Sequence, residues 1–305
     1  MDVSVVVCTY SMDRYDDFTE AVESALAQTH ESVKVVLVVD GNREVYDRVV
    51  DQFGDREDVV THCNEENQGV SYSRTKGAEL ASGEVVAFID DDAVAEPDWI
   101  EKLVEGYEDH DAIAVGGRMV GEWLVGRPSF LPTEFDWLVG VTYPGFAADG
   151  EEVRNTFESN LSFRRDVFLD LGGFDPDLGP DAESYSHSEG AEIGTRLRRE
   201  YDRGVVYKSD AIVNHKVFEH RTQLPWLVSR AFEQGVSKRR MSTDGSSSGG
   251  EESMYLFDLF FDRVPRRIHG LVRSPSIAAI VQLAMLFVFT AAVGIGYIYA
   301  MGRRK

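Results

Sequence analysis

The chain lacks the features that mark several common protein classes. It has two cysteines, Cys8 and Cys63, in 305 residues. That is too few for a disulfide framework, and both read as reduced residues near the core with no metal role. No secretory leader is expected, because Met1-Asp2-Val3 leads straight into a strand. No G-x-G-x-x-G follows that strand, where Thr9-Tyr10-Ser11-Met12 stands, and no G-x-x-x-x-G-K-[ST] occurs anywhere. Neither a dinucleotide fingerprint nor a P-loop is therefore present. Positive charge is scarce: 31 basic against 53 acidic residues leave a net charge of −22. With no basic stripe to offset it, a nucleic-acid partner is disfavoured.

What is there begins with that acidity. Arginine outnumbers lysine, and the balance is the one expected of a halophile's cytosolic protein. In concentrated salt the Debye length falls to about 3 Å, so self-repulsion costs little. Long apolar runs are missing until Ile277–Met301, which contains no charged residue. At about 1.5 Å per residue that run is long enough to cross a hydrocarbon core of roughly 30 Å. Arg263, Arg266, Arg267 and Arg273 precede it, and Arg303-Arg304-Lys305 follow it. The basic flanks weakly favour a single-pass protein of the cell membrane with its larger part in the cytoplasm.

Ahead of the run, strand and helix signals alternate. Strands are expected at Val3–Tyr10, Val33–Val39, Val59–His62, Val85–Ile89 and Gly204–Tyr207. Helices are expected at Tyr15–Gln28, Glu44–Phe53, Ser71–Ala81, Trp99–Tyr107 and Glu189–Tyr201. This alternation argues an α/β fold, a mostly parallel sheet flanked by helices. Residues 121–158 are rich in glycine, proline and aromatics and show no clear period. Ser242–Ser253 reads as a flexible linker. Met254–Val272 interleaves aromatics and leucines with arginines, which suits an interfacial helix or a second amphipathic core helix. The domain plan is therefore 1–240, then a linker and interfacial helix over 241–275, then a transmembrane helix over 276–302.

The most informative residues are Asp90-Asp91-Asp92, which end the buried run Val85-Val86-Ala87-Phe88-Ile89. The carboxyl edge of such a strand is where open α/β sheets bind ligands. Three adjacent carboxylates repel one another and call for a cation, and hard oxygen donors suit Mg²⁺ or Mn²⁺ shared with substrate phosphates. A solvated acidic turn is the plainer alternative. Asp40 ends the second strand at the same edge. It can meet a base or ribose, or form an Asx turn with Gly41-Asn42. Asn67-Gln68-Gly69 opens the next helix, whose amides can face a phosphate or be capped by Ser71. Arg74 and Lys76 are candidate phosphate partners or plain surface charge.

Taken in order, these positions resemble family 2 glycosyltransferases with the Rossmann-like GT-A fold. The matching runs are Val5-Val6-Val7-Cys8-Thr9-Tyr10, Val38-Val39-Asp40, Asn67-Gln68-Gly69 and Phe88-Ile89-Asp90-Asp91-Asp92. Asn160-Leu-Ser-Phe-Arg-Arg, Leu171-Gly-Gly-Phe-Asp175, Glu189-Gly-Ala-Glu192-Ile-Gly-Thr-Arg196, and His215 followed by Arg221 continue it. The resemblance spans about residues 1–221. It implies a nucleotide-sugar donor on Thr9, Tyr10, Asp40, Asn67, Arg74, Asp90 and Asp91. It implies a Mg or Mn ion on Asp90, Asp92 and His215, although His215 can equally be a structural histidine. The family often has Glu-Asp on the acceptor side, with an acid there as base. Here Gly190 follows Glu189, so the base is Glu189, which is preferred, or Glu192 one turn on. Glu192 is expected to brace its helix through Arg196. The apolar span and the acidity add a resemblance to haloarchaeal Agl-type glycosyltransferases. These act on dolichol phosphate-linked oligosaccharides in N-glycosylation of the S-layer glycoprotein, which implies membrane lipid around the acceptor. A binding protein that has lost catalysis is the competing reading, and Gly190 is the feature that favours it.

Overall fold

The computed structural model describes residues 1–176, 189–243 and 250–302. It divides into two compact units: Met1–Gly121 with Ala147–Lys216, and Glu122–Phe146 with Val217–Lys305. The division differs from the plan read off the sequence, because residues 122–146 and 217–240 belong with the C-terminal helices.

The first unit opens with β1 (Val3–Thr9), α1 (Tyr15–Leu26), β2 (Val33–Val39), α2 (Arg43–Phe53), β3 (Val59–Cys63), α3 (Val70–Leu80) and β4 (Val85–Asp90). The strands are valine-rich on both faces because both faces are covered. Val5, Val7, Val35, Leu37, Val85 and Ala87 pack with Phe18, Val22 and Ala25 of α1. Val6, Val36, Val38 and Phe88 face the other way, against Ala78, Phe163 and Phe168. The Asn42 side chain accepts the Val45 N–H and so caps α2.

The unit continues with β5 (Ala93–Ala95), α4 (Trp99–His110), β6 (Ala114–Trp123), β7 (Glu152–Val153), β8 (Leu161–Arg164), α5 (Arg165–Asp170), α6 (Glu189–Tyr201) and β9 (Val205–Val217). Among the described residues the sheet runs β3-β2-β1-β4-β8-β6-β9-β5, with β7 beside β9. The pairings β3-β2, β2-β1 and β1-β4 are parallel. Those of β8 with β4 and β6, and of β9 with β5 and β7, are antiparallel. The strand expected at Gly204–Tyr207 is 13 residues long. Its polar Lys208-Ser209-Asp210 hides the continuation, which resumes with buried Ala211, Val213 and His215 alternating along one face.

The second unit holds a 3₁₀ helix at Thr133–Val139, then α7 (Leu224–Thr243), α8 (Gly250–Asp258), a π-helical turn at Leu259–Arg263, α9 (Val264–Arg273) and α10 (Ile277–Gly302). The expected linker is mostly helix at its flanks, and its residues 244–249 lie outside the described residues. Arg303-Arg304-Lys305 do so as well. Leu138, Val139, Leu227, Ala231, Leu259, Leu286, Phe289 and Ala292 form the core of this unit. Helices α7 and α10 cross closely at two glycines. A Cβ on Gly235 would lie 2.0 Å from the Val293 carbonyl oxygen, and one on Gly296 2.0 Å from that of Phe232. The buried Glu134 carboxylate takes two bonds from Arg267, at 2.7 and 2.6 Å. Helix α10 is long and apolar enough to cross a membrane.

Candidate active site

The parallel register carries the carboxyl ends of three strands to one edge. Cys8 stands opposite Asp90, and Thr9 opposite Val39. Thr9, Asp40 and the aspartate triplet therefore share that edge. Asp40 organises the loop beside it. Its carboxylate accepts from Asn64 Nδ2 at 2.7 Å, from the Gln68 N–H at 3.0 Å and from the Gly69 N–H at 2.8 Å. The two amides that open α3 are thus aimed at Asp40. Asn67 stays exposed, and Tyr10 is 52% exposed at the end of β1.

Past Asp90 the chain turns, and β5 pairs with β9 so that Ala93 lies opposite His215. That pairing places Asp92 Oδ1 3.5 Å from His215 Nε2. Arg14, in the 3₁₀ turn after β1, holds Asp91 at 3.0 Å and Asp92 at 2.6 Å. The Thr9 hydroxyl donates to Asp91 at 3.3 Å. Burial, reinforced by the neighbouring aspartates and opposed by Arg14, pushes the Asp91 carboxyl up to about 7.

Asp90 turns away from this group. It pairs with Arg74, which is only 5% exposed and also binds Glu189. Arg74 is therefore a buried partner of two carboxylates. An arginine so placed ties two carboxylates from distant parts of the chain together, and breaking such a cluster costs about 3–5 kcal/mol. Ser71 caps nothing; its hydroxyl donates to Glu189 at 3.2 Å. Glu189, 3% exposed, has both oxygens engaged. Burial pushes its carboxyl up to about 8 despite Arg74. Glu158 adds a further carboxylate and accepts the Gly190 N–H at 2.8 Å. Glu192 lies outside the cluster, joined to Arg196 at 2.7 and 2.5 Å. Arg196 also donates to the carbonyls of Leu171 and Gly173, at 2.5 and 2.8 Å. The pairing expected of Glu192 thus fastens α6 to the Leu171–Gly173 turn.

The sequence matches the glycosyl transferase family 2 profile over residues 4–172, more than half of the chain. It is 54% identical over 302 residues to a glucosyl-dolichyl phosphate glucuronosyltransferase of Haloferax volcanii, covering 99% of this chain and 96% of that one. The chain belongs to glycosyl transferase family 2. A second relative, the succinoglycan biosynthesis protein ExoM of Rhizobium meliloti, is 27% identical, over 79% of this chain and 75% of its own. Among solved structures, S. aureus TarS 1-349 superposes with a TM-score of 0.56 at 17% identity, covering 99% of this chain and 92% of that one. That likeness is one of fold.

In this family 2 glycosyltransferase the expected metal ligands divide between the two arginine clusters. Asp92 and His215 converge, whereas Asp90 is held by Arg74. Among the described residues no three histidine, cysteine or carboxylate side chains gather as a ready-made metal site. A carboxylate and an imidazole still form a fitting partial set. Mg²⁺ is commonly held by one or two carboxylates and completed by substrate phosphates and water.

Four residues of the glycosyltransferase site escape sequence reasoning. Arg14 had a signal, a cation just after the first strand edge. Asn64, which bonds both Asp40 and Ser73, had none. Neither had Glu158 or Ser159, whose hydroxyl accepts the Asp90 N–H at 2.9 Å. Glu158 ends the stretch without periodicity, and Ser159 follows it directly.

Proposed function

We propose that this glycosyltransferase moves a glucuronosyl unit from a nucleotide-sugar donor to glucosyl-dolichyl phosphate, with inversion at the anomeric carbon. The observation that carries this is the 54% identity, across 99% of the chain, to the relative named for that activity. In this reading Thr9, Tyr10, Asp40, Asn67, Asp90 and Asp91 line the donor side. Asp92 and His215 would hold a Mg or Mn ion, which neutralises charge on the departing diphosphate. The acceptor hydroxyl gives its proton to a carboxylate of the Arg74 cluster, of which Glu189 is the member named by the sequence. The retained carboxylates support this over a non-catalytic binding role, and the setting is archaeal N-glycosylation of an S-layer glycoprotein. Purified enzyme given glucosyl-dolichyl phosphate and a panel of nucleotide sugars should extend the lipid only with glucuronic acid. Mass analysis of the lipid product checks this, and efficient transfer of a different sugar would overturn it.

The same reading makes α10 a membrane anchor with the catalytic unit in the cytoplasm. A stripe on the preceding helices supports it. Met254, Phe257, Phe261, Ile268 and Val272 recur at helical spacing and are all exposed, and the Phe257 and Phe261 rings stack at 4.6 Å. Only residues 274–276 separate α9 from α10. At no more than about 3.6 Å per residue, they keep the end of α9 near the bilayer surface. Full-length protein should stay with membranes in molar salt. Its N-terminal unit should resist protease in right-side-out vesicles until lysis. Recovery of the intact chain in the soluble fraction would remove the anchor.

A further inference from the structure

Glu158 begins a short 3₁₀ turn, Glu158–Asn160, just ahead of β8. The next residue, Ser159, ties that turn to the end of β4 through the Asp90 N–H. Glu158 Oε1 accepts the Gly190 N–H at 2.8 Å. A Cβ on residue 190 would come within 2.3 Å of that oxygen and 2.9 Å of Glu158 Cδ. The carboxylate of residue 158 thus fills the room that a side chain at 190 would need. Glycine at 190 and glutamate at 158 are two halves of one arrangement.

Glu158 and Glu189, two of the three carboxylates around Arg74, differ in what remains open to them. Glu189 is buried, with one oxygen on Arg74 and the other on Ser71. Glu158 is only half-buried. Its carboxylate takes backbone N–H groups, that of Gly190 on Oε1 and its own. Among the described residues no side chain donates to Oε2, unlike either oxygen of Glu189. Burial raises the Glu158 carboxyl, Arg74 opposes the rise and Asp90 adds to it. That is the direction a base needs to work near neutral pH.

We propose that Glu158 is the catalytic base of the transfer, and that Glu189 is a positioning residue that holds Arg74 beside it. The inference rests on the transfer reading given above. The acceptor O–H bond breaks and its proton passes to Glu158 Oε2. The acceptor oxygen forms a bond to the anomeric carbon of the donor sugar. The bond from that carbon to the diphosphate breaks, and its electron pair leaves with the nucleoside diphosphate. Glu158 then returns its proton to water.

The test is steady-state transfer by full-length enzyme in membranes, using whichever donor of the panel the wild type turns over. Glu158→Gln keeps an oxygen for the Gly190 N–H and removes the proton acceptor. Its kcat should fall about 10²-fold or more, with donor KM nearly unchanged. Glu158→Ala should lose as much. Adding Gly190→Asp to Glu158→Ala puts a carboxylate back into the vacated room, and turnover should recover at least about tenfold. A merely structural Glu158 would not be rescued from position 190. Turnover of Glu158→Gln within about threefold of wild type would overturn the proposal, as would a double variant no better than Glu158→Ala. Wild-type turnover with a donor other than glucuronic acid would instead overturn the substrate reading and leave the Glu158 comparison standing.

Discussion

Removing divalent metal with a chelator should abolish transfer, and Asp92→Asn should do nearly the same with metal present. Asp92 is 3% exposed and lies between Arg14 and His215. Its position at the carboxyl edge of the parallel strands suits a ligand shared with a donor diphosphate. A bound metal is worth several kcal/mol at a departing phosphate, so the expected loss is about 10³-fold or more. Folding should survive the substitution. Asp91 remains to pair with Arg14, and asparagine keeps the shape of the side chain. Transfer measured after chelation, and restored by added Mg²⁺ or Mn²⁺, checks the claim. Full activity in chelator would eliminate the metal, and Asp92→Asn at wild-type rate would move it elsewhere.

Glu189→Gln should cost about 10²-fold or more in turnover, while Glu192→Gln should leave transfer nearly intact. Glu189 faces Arg74 and Ser71 in the buried cluster. Glutamine there leaves a buried guanidinium with one carboxylate fewer and disorders the site around Glu158. Glu192 fastens α6 through Arg196, which retains the Leu171 and Gly173 carbonyls without it. Its loss should lower stability by about 1 kcal/mol. Donor affinity measured beside turnover separates the two roles. Near-normal transfer in Glu189→Gln with loss in Glu192→Gln would reassign the function to Glu192. The pH dependence carries a definite sign. Burial raises Glu189 to about 8 and Glu158 in the same direction. The pair therefore titrates together, and transfer should climb with pH through the neutral range as it ionises. Stability runs the other way. The raised folded-state carboxyl favours the fold below its ordinary value of 4.5, and that contribution is lost as pH rises toward 8.

The strands that build the site edge were legible because a strand covered on both faces must be apolar throughout. Val33–Val39 and the run ending at Asp90 can be read without any structure. Their parallel register then brings Asp40 and Asp90 to one edge. Arg74 shows where such reading stops. Its charge was visible, but Asp90 and Glu189 reach it from distant parts of the chain, and only their convergence makes it internal. Glu158 was invisible for a related reason. It follows a segment whose backbone bonds are irregular, so no period marked it. Residues 177–188, ahead of Glu189, lie outside the described residues. The antiparallel strands β6 and β9 were obscured by Gly116-Gly117-Arg118 and by Lys208-Ser209-Asp210, which interrupt their apolar runs.

The glycine crossing of α7 and α10 decides which flank of α10 meets its surroundings. Leu286, Phe289, Ala292 and Gly296 are buried on one side, in a core shared with Leu227 and Ala231. Ile280, Phe287, Ile295 and Ile298 stand exposed on the other. A helix gripped along one side cannot roll about its axis. If α10 is the proposed membrane anchor, a photoreactive probe dissolved in lipid would therefore mark it in bars, every third or fourth residue, with blanks at the gripped positions. A bulky residue at 235 or 296 would release the grip and smear those bars into a continuous band.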